Sequence, residues 1–237
     1  MIDKDKKINV LHLLFILAAV FVAVACSSRE PEEVRREVTL VTTKGNIVVE
    51  LYNETPLHRD NFLRHVESGY YDSLLFHRVI RDFMVQSGDS TSRHALPGAL
   101  IADETDTATV AAEFRYPALF HKRGALAAAR TGDDVNPGQA SSAAQFYIVW
   151  GKTYSDSLLD KIDSTMFRWT HGRHHLDSLS RAYYRAYPGS PHLDGSYTVF
   201  GQVVSGLDVV DSIQCSPTDA NDRPDEDIRI LRATVTR

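Results

Sequence analysis

Four side chains between positions 76 and 89 could act together: Arg78, Phe83, Met84 and Gln86. The stretch Phe76 to Asp89 begins as β-formers, breaks at Arg81-Asp82, resumes through Val85 and ends on the Gly88-Asp89 turn. That pattern predicts two strands bent around a corner. A guanidinium is permanently charged and donates charge-assisted hydrogen bonds without giving up a proton. One such cation with two apolar side chains and an amide is an odd set for a core. For an isolated strand pair the plainer alternative has Arg78 and Gln86 facing water, with Phe76, Ile80, Phe83 and Val85 facing inward.

Other chemistries find less support. Ser141-Ser142 lacks the glycine frame of a nucleophile elbow, which argues against a hydrolase. No phosphate loop or dinucleotide fingerprint is present. His171, His174 and His175 have helix-compatible spacing for a metal, but no cysteine or adjacent carboxylate completes the set and Gly172 interrupts it. They read as an exposed polar helix face. A net charge of -5 with mixed signs leaves no electrostatic footprint for nucleic acid.

The elements that must hold the corner can be taken in order. Glu37 to Thr43 alternates, Lys44-Gly45-Asn46 turns and Ile47 to Tyr52 returns, predicting a β-hairpin. Asn53 to Gly69 has a helix pattern with Thr55 as cap, Pro56 in the first turn, and Leu57, Phe62, Leu63 and Val66 on one face. Ser90 to Arg123 is loop-like. Tyr197 to Val204 predicts a strand, Gly206 to Ile213 a helix with Leu207, Val210 and Ile213 inward, and Asp227 to Thr236 a last strand paired with the first. Many short strands, two helices and no βαβ rhythm imply a mainly β fold, a closed antiparallel barrel.

Three blocks in order resemble cyclophilin-type peptidyl-prolyl isomerases and span most of Val38 to Arg237. They are the 76–89 stretch, Gly124 to Arg130 followed by Gln145-Phe146-Tyr147-Ile148, and Leu193 to Gly201. The resemblance implies an eight-stranded barrel capped by two helices, rotation of X-Pro bonds in proline-containing peptides or unfolded proteins, and no cofactor or metal. It implies Arg78 as the catalytic residue and a proline ring seated against Phe83, Met84 and Phe146, with Leu193 at the rim. Gln86, Gln145 and the backbone near Ala129 and Arg130 would hold the peptide. Tyr197 stands where many members have His, Ala128 replaces the usual Met, and Arg130 replaces Asn. His192 occupies the place of the Trp associated with strong cyclosporin binding, so weak cyclosporin binding is expected. A proline-segment binding module with little catalysis is the rival reading.

One segment departs from the family layout. Between Thr153 and Pro191, Leu158, Leu159, Ile162, Met166 and Phe167 fall at helical spacing after Ser155 and Asp156. Leu176, Leu179, Tyr183 and Tyr187 repeat the pattern after Gly172. The prediction is a helical insertion over 153–191, either a hairpin or one interrupted helix, with its apolar stripe against the side of the barrel. Lying on the pocket rim, it is expected to shape client access.

The first 25 residues read as a targeting segment. Lys4, Lys6 and Lys7 precede the apolar run Val10 to Ala25, and Val22-Ala23-Val24-Ala25-Cys26 resembles a bacterial lipobox. Acyl chains on Cys26 would anchor the protein to a membrane; a signal anchor that stays in the bilayer is the alternative. Positions 26–36 then form a tether of about 15–20 Å, and 37–237 the folded domain. Ser27 resembles outer-membrane sorting, so the expected place is the bacterial envelope, at the periplasmic or surface face of the outer membrane. With Cys26 acylated only Cys215 remains, as a core or helix-end residue, and no internal disulfide can form.

Overall fold

The computed structural model describes residues 34–101 and 108–237. The expected signal segment, Cys26 and most of the tether lie outside the described residues, as does Asp103-Glu104 of the long loop. No helix among the described residues is long and apolar enough to cross a membrane. Arg35 reaches Glu50 and Glu54 at 3.1 and 2.7 Å, and Arg36 Nε donates to the Arg237 carbonyl at 2.9 Å. Attachment to the sheet therefore begins two residues before the expected boundary.

Among the described residues ten strands form: β1 (Glu37–Thr42), β2 (Gly45–Leu51), β3 (Arg78–Ile80), β4 (Met84–Ser87), β5 (Thr109–Val110), β6 (Ala125–Ala128), β7 (Ser141–Ser142), β8 (Phe146–Val149), β9 (Val199–Ser205) and β10 (Ile230–Val235). The same described residues form four α-helices: α1 (Pro56–Glu67), α2 (Asp156–Trp169), α3 (Ser178–Ala186) and α4 (Leu207–Gln214). Eight strands make one antiparallel sheet in the order β10-β1-β2-β9-β6-β8-β4-β3. The sheet curls into a barrel, but no ladder joins β3 to β10. The seam is a single bridge, Leu75 to Arg229, flanked by Phe76 N–H to Ile228 O and Ile230 N–H to Leu74 O, both 2.8 Å. The expected closed barrel is thus a curled sheet with a short seam, made by residues 74–76 ahead of β3.

Side-chain parity divides the sheet's two faces. Val38, Leu40, Ile47, Val49, Leu126, Ala128, Phe146 and Ile148 fill the barrel interior with Phe62 and Val66 of α1. Met84, Ala125, Ala127, Tyr147, Val149 and Val199 form a second apolar cluster with Leu193. Alternate residues of β6 and β8 belong to different clusters, so these strands are buried on both faces.

Helix α1 forms where expected, but Thr55 does not cap it with its side chain. Glu113, far along the chain, accepts from the N–H groups of Leu57 and His58 at 3.2 and 3.0 Å, placing a carboxylate where the helix dipole favours negative charge. Leu57 and Leu207 are exposed rather than inward; each lies beside the buried stripe of its helix. The insertion is a helical pair, α2 and α3, and its stripe does not lie on the side of the barrel. Leu159, Met166, Leu176 and Tyr184 instead bury themselves with Tyr116 and Phe120 of the loop before β6.

Candidate active site

The bent strand pair turns at Asp82, whose φ of 60° is left-handed, a conformation Asp tolerates better than most residues. Its N–H donates to Gln214 Oε1 at 3.0 Å, fixing the corner against α4. Antiparallel pairing then sets a row across three neighbouring strands, in which Arg78 faces Gln86 and Gln86 faces Tyr147. Tyr147 in turn faces Ala127. The next row holds Ile80, Met84 and Val149. Partners in a row share a face, so these side chains stand together outside the barrel interior.

Gly88 ends β4 with φ 107°, and a Cβ there would collide with the Ala144 carbonyl. Only glycine permits that approach, which brings Gln86 and Gln145 together. Gln86 Nε2 donates to Gln145 Oε1 at 2.8 Å.

These elements enclose a concavity of about 290 Å³. Arg78, Phe83, Met84, Gln86, Ala129, Arg130, Gln145, Leu193 and Tyr197, all expected from the sequence, line it together with Thr131 and Tyr147. Arg78 stands at the rim, about half exposed, with Nε 3.4 Å from Asp222. Arg130 is locked: Nε donates to Ser196 O at 2.8 Å, one terminal nitrogen reaches Asp133 at 2.6 Å, and the guanidinium lies 4.5 Å over the Tyr197 ring. At Ala129 the N–H donates to Gln145 O and the carbonyl accepts from Ser142 N–H, which fixes this backbone at the edge of the concavity. His192 packs on Phe83 with ring centroids 5.1 Å apart. Burial, with His121 nearby, pushes its pKa down to about 4, so its ring is neutral at neutral pH.

One expected member is displaced. Phe146 points into the barrel, edge-on to Phe62 and Tyr71 at 5.4 and 5.3 Å, and Tyr147 takes the wall assigned to it. Gln145 and Tyr147 are two apart and therefore share a face; Phe146 between them must take the other. That spacing was visible in the sequence.

Behind Tyr147 lies a buried chain of polar groups that sequence reasoning missed. Its hydroxyl is 3.0 Å from His121 Nε2, His121 Nδ1 is 2.8 Å from Asp194, and Tyr184 donates to the other Asp194 oxygen at 2.7 Å. Asp194 also accepts from the His121 N–H at 2.9 Å. A carboxylate at 2% exposure is sustained by these three donors. Tyr184 belongs to α3, so the insertion is bonded through two residues to the pocket wall.

A second polar row resembles a hydrolytic triad in its distances. Glu113 lies 2.7 Å from His58 Nδ1, and Ser141 Oγ lies 2.9 Å from His58 Nε2. Ser141 is only 1% exposed, so no substrate carbonyl can reach it, and the row acts as a clamp between α1, the Glu113 loop and β7. Of the three histidines weighed as metal ligands, His174 packs on Tyr116, and His175 stacks on Phe167 and meets Asp163.

The family model for cyclophilin-type peptidyl-prolyl cis-trans isomerases matches residues 37–235. The chain belongs to this family. Among its relatives, peptidyl-prolyl cis-trans isomerase CYP71 of Arabidopsis thaliana is 33% identical over 205 residues, 84% of this chain and 24% of that protein; the chain spans about a quarter of that relative's length. Peptidyl-prolyl cis-trans isomerase cypE of Dictyostelium discoideum is 32% identical, with 84% of this chain and 96% of that protein covered. A solved cyclophilin-type isomerase of Cryptosporidium parvum superposes with a TM-score of 0.59 at 22% identity, over 86% of this chain and 99% of that one. The same protein solved in the presence of the dipeptide Ala-Pro gives a TM-score of 0.57, again at 22% identity, over 85% of this chain and 99% of that one. This cyclophilin carries α2 and α3 between two of its family blocks, within 153–191.

Proposed function

We propose that this cyclophilin accelerates rotation about X-Pro bonds in proteins of the bacterial envelope or secreted through it, assisting their folding, with Arg78 as the catalytic residue. Peptide-bond rotation faces a barrier of about 18–20 kcal/mol because resonance holds the bond planar. At X-Pro the two isomers lie within about 1 kcal/mol, so both are populated. No covalent step is needed; the site must favour the twisted amide, whose proline nitrogen regains its lone pair.

The observation that carries this reading is the single concavity shared by the Arg78 fork, the Gln86–Gln145 pair and the apolar set Phe83, Met84, Tyr147 and Leu193. A charge-assisted hydrogen bond from Arg78 to the proline nitrogen or the prolyl carbonyl contributes about 1.5–3 kcal/mol, roughly one to two powers of ten in rate. The remainder comes from seating the ring in an apolar cup where water no longer stabilises the planar amide. That the Cryptosporidium relative was solved in the presence of the dipeptide Ala-Pro is in keeping with such a ligand. The envelope location rests on the basic, apolar, small-residue and Cys26 order of the N-terminal sequence. Loss of membrane attachment in Cys26→Ser is the test of that part.

Arg78→Ala tests the catalytic part in a protease-coupled X-Pro peptide assay. Turnover should fall about 10- to 150-fold, while thermal stability stays nearly unchanged, because an exposed ion pair such as Arg78–Asp222 contributes little. Equal turnover in the variant removes Arg78 from the mechanism. Tight peptide binding with no turnover in either protein leaves a binding module.

A further inference from the structure

The concavity does not end at Leu193 and Tyr197. These two residues and Arg130 also line an adjoining cavity of about 510 Å³, together with Asp133, Trp169 and His192. A third cavity, about 200 Å³, shares Trp169 and His192 with it and is lined besides by Lys161, Ile162 and Thr165. Ile162, Thr165 and Trp169 recur three and seven residues apart, so one face of α2 walls the trough. Trp169 is the last residue of that helix and remains 48% exposed. The helix end is pinned behind it, since Thr170 Oγ1 donates to Met166 O at 2.8 Å and accepts from His174 N–H at 3.0 Å.

The chemistry of the trough selects its occupant. The Trp169 face, Ile162 and the His192 ring suit an aromatic or large aliphatic side chain. Arg130 and Asp133 both line the trough but are paired with each other at 2.6 Å, Arg130 being covered by Tyr197 and Asp133 also accepting from Gln139 Nε2, so neither charge is left free for a ligand, and Lys161 in the third cavity disfavours a basic one. Because the trough shares three residues with the proline pocket, its ligand is a continuation of the chain whose proline sits there. A cavity of that size is roughly 8–10 Å across, a span that an extended chain covers in about three residues.

We propose that α2 builds a subsite for an aromatic or large aliphatic side chain two to four residues from the proline, so that this cyclophilin favours apolar, unfolded segments over bare proline dipeptides. The inference rests on the isomerase reading of the adjoining pocket.

The test compares Ala-rich proline heptapeptides with and without one Phe at each position two to four residues before or after the proline. Turnover is read by NMR exchange spectroscopy and affinity by fluorescence anisotropy, for the wild type, Trp169→Ala and Ile162→Ser. At the best position Phe should raise kcat/KM about tenfold, the effect of partly burying one aromatic ring, chiefly through KM. Both variants should lose most of that ratio. The subsite is overturned if no Phe position gives a gain, or if the gain survives in both variants. It is also overturned if Trp169→Ala changes the oligomeric state in sedimentation, which would make the trough a contact between copies. Should the wild type turn over no peptide at all, the isomerase reading fails by itself. The anisotropy measurement then decides the subsite alone: Phe-dependent affinity that needs Trp169 retains it, and its absence removes it.

Discussion

Truncating two neighbours on β8, Phe146→Ala and Tyr147→Ala, should separate stability from catalysis. Phe146 is 1% exposed inside the barrel against Phe62 and Tyr71, and a Phe→Ala truncation in such a core costs about 3–5 kcal/mol. A domain of this size loses about 2–4 °C per kcal/mol, so its midpoint should fall by about 6–20 °C. Natural domains hold about 5–15 kcal/mol, so a folded majority survives near the temperature of maximum stability, about 10–20 °C. Assayed there and corrected for the folded fraction, Phe146→Ala should keep kcat/KM within about twofold, since it faces away from the concavity. Tyr147→Ala removes a wall of the 290 Å³ pocket and strands His121 Nε2. The unpartnered imidazole costs about 1–3 kcal/mol of stability, and the lost apolar contact should lower kcat/KM about tenfold, mainly through KM. The assay is the protease-coupled peptide reaction, with urea denaturation run in parallel. If Phe146→Ala abolishes turnover while folded and Tyr147→Ala leaves it intact, the assignment of the two faces is wrong.

His192 makes stability depend on pH. Its pKa is about 4 in the folded chain against an ordinary 6.5, so between these values the unfolded chain holds a proton that the folded chain lacks. Stability is therefore full above about pH 6.5 and is lost as the pH falls toward 4, by at most about 1.4 kcal/mol per pH unit. Burial lowers His58 and His77 in the same direction. Urea midpoints at several pH values should show His192→Gln losing part of the slope, and an identical slope would contradict the assignment. Cyclosporin should inhibit weakly, since the His192 ring at the rim offers less apolar surface than an indole. His192→Trp should tighten it, and nanomolar inhibition of the wild type in the peptide assay would refute this reading.

Much of the site was legible in the chain. The break at Arg81-Asp82 put Arg78 and Gln86 on adjoining strands, where the register makes them direct partners. The opening hairpin and the two halves of the insertion were readable from alternation and helical spacing, signals that a few adjacent residues carry by themselves. The choice between Phe146 and Tyr147 was harder because β8 is buried on both faces. With no polar residue in the strand to mark an outside, apolar pattern cannot tell the barrel interior from the pocket; only the two-residue step from Gln145 could. The pairing of the last strand with the first was legible, but the polar contacts between distant segments were not. Glu113 at the start of α1 and the Tyr184–Asp194–His121–Tyr147 row join side chains from segments far apart in the chain. Local sequence determined which residues form strands and helices, because backbone propensity and side-chain spacing act over a few residues. Only the folded sheet decided which side chains share a cavity and which polar groups find partners, because burial removes water from groups that the chain itself keeps apart.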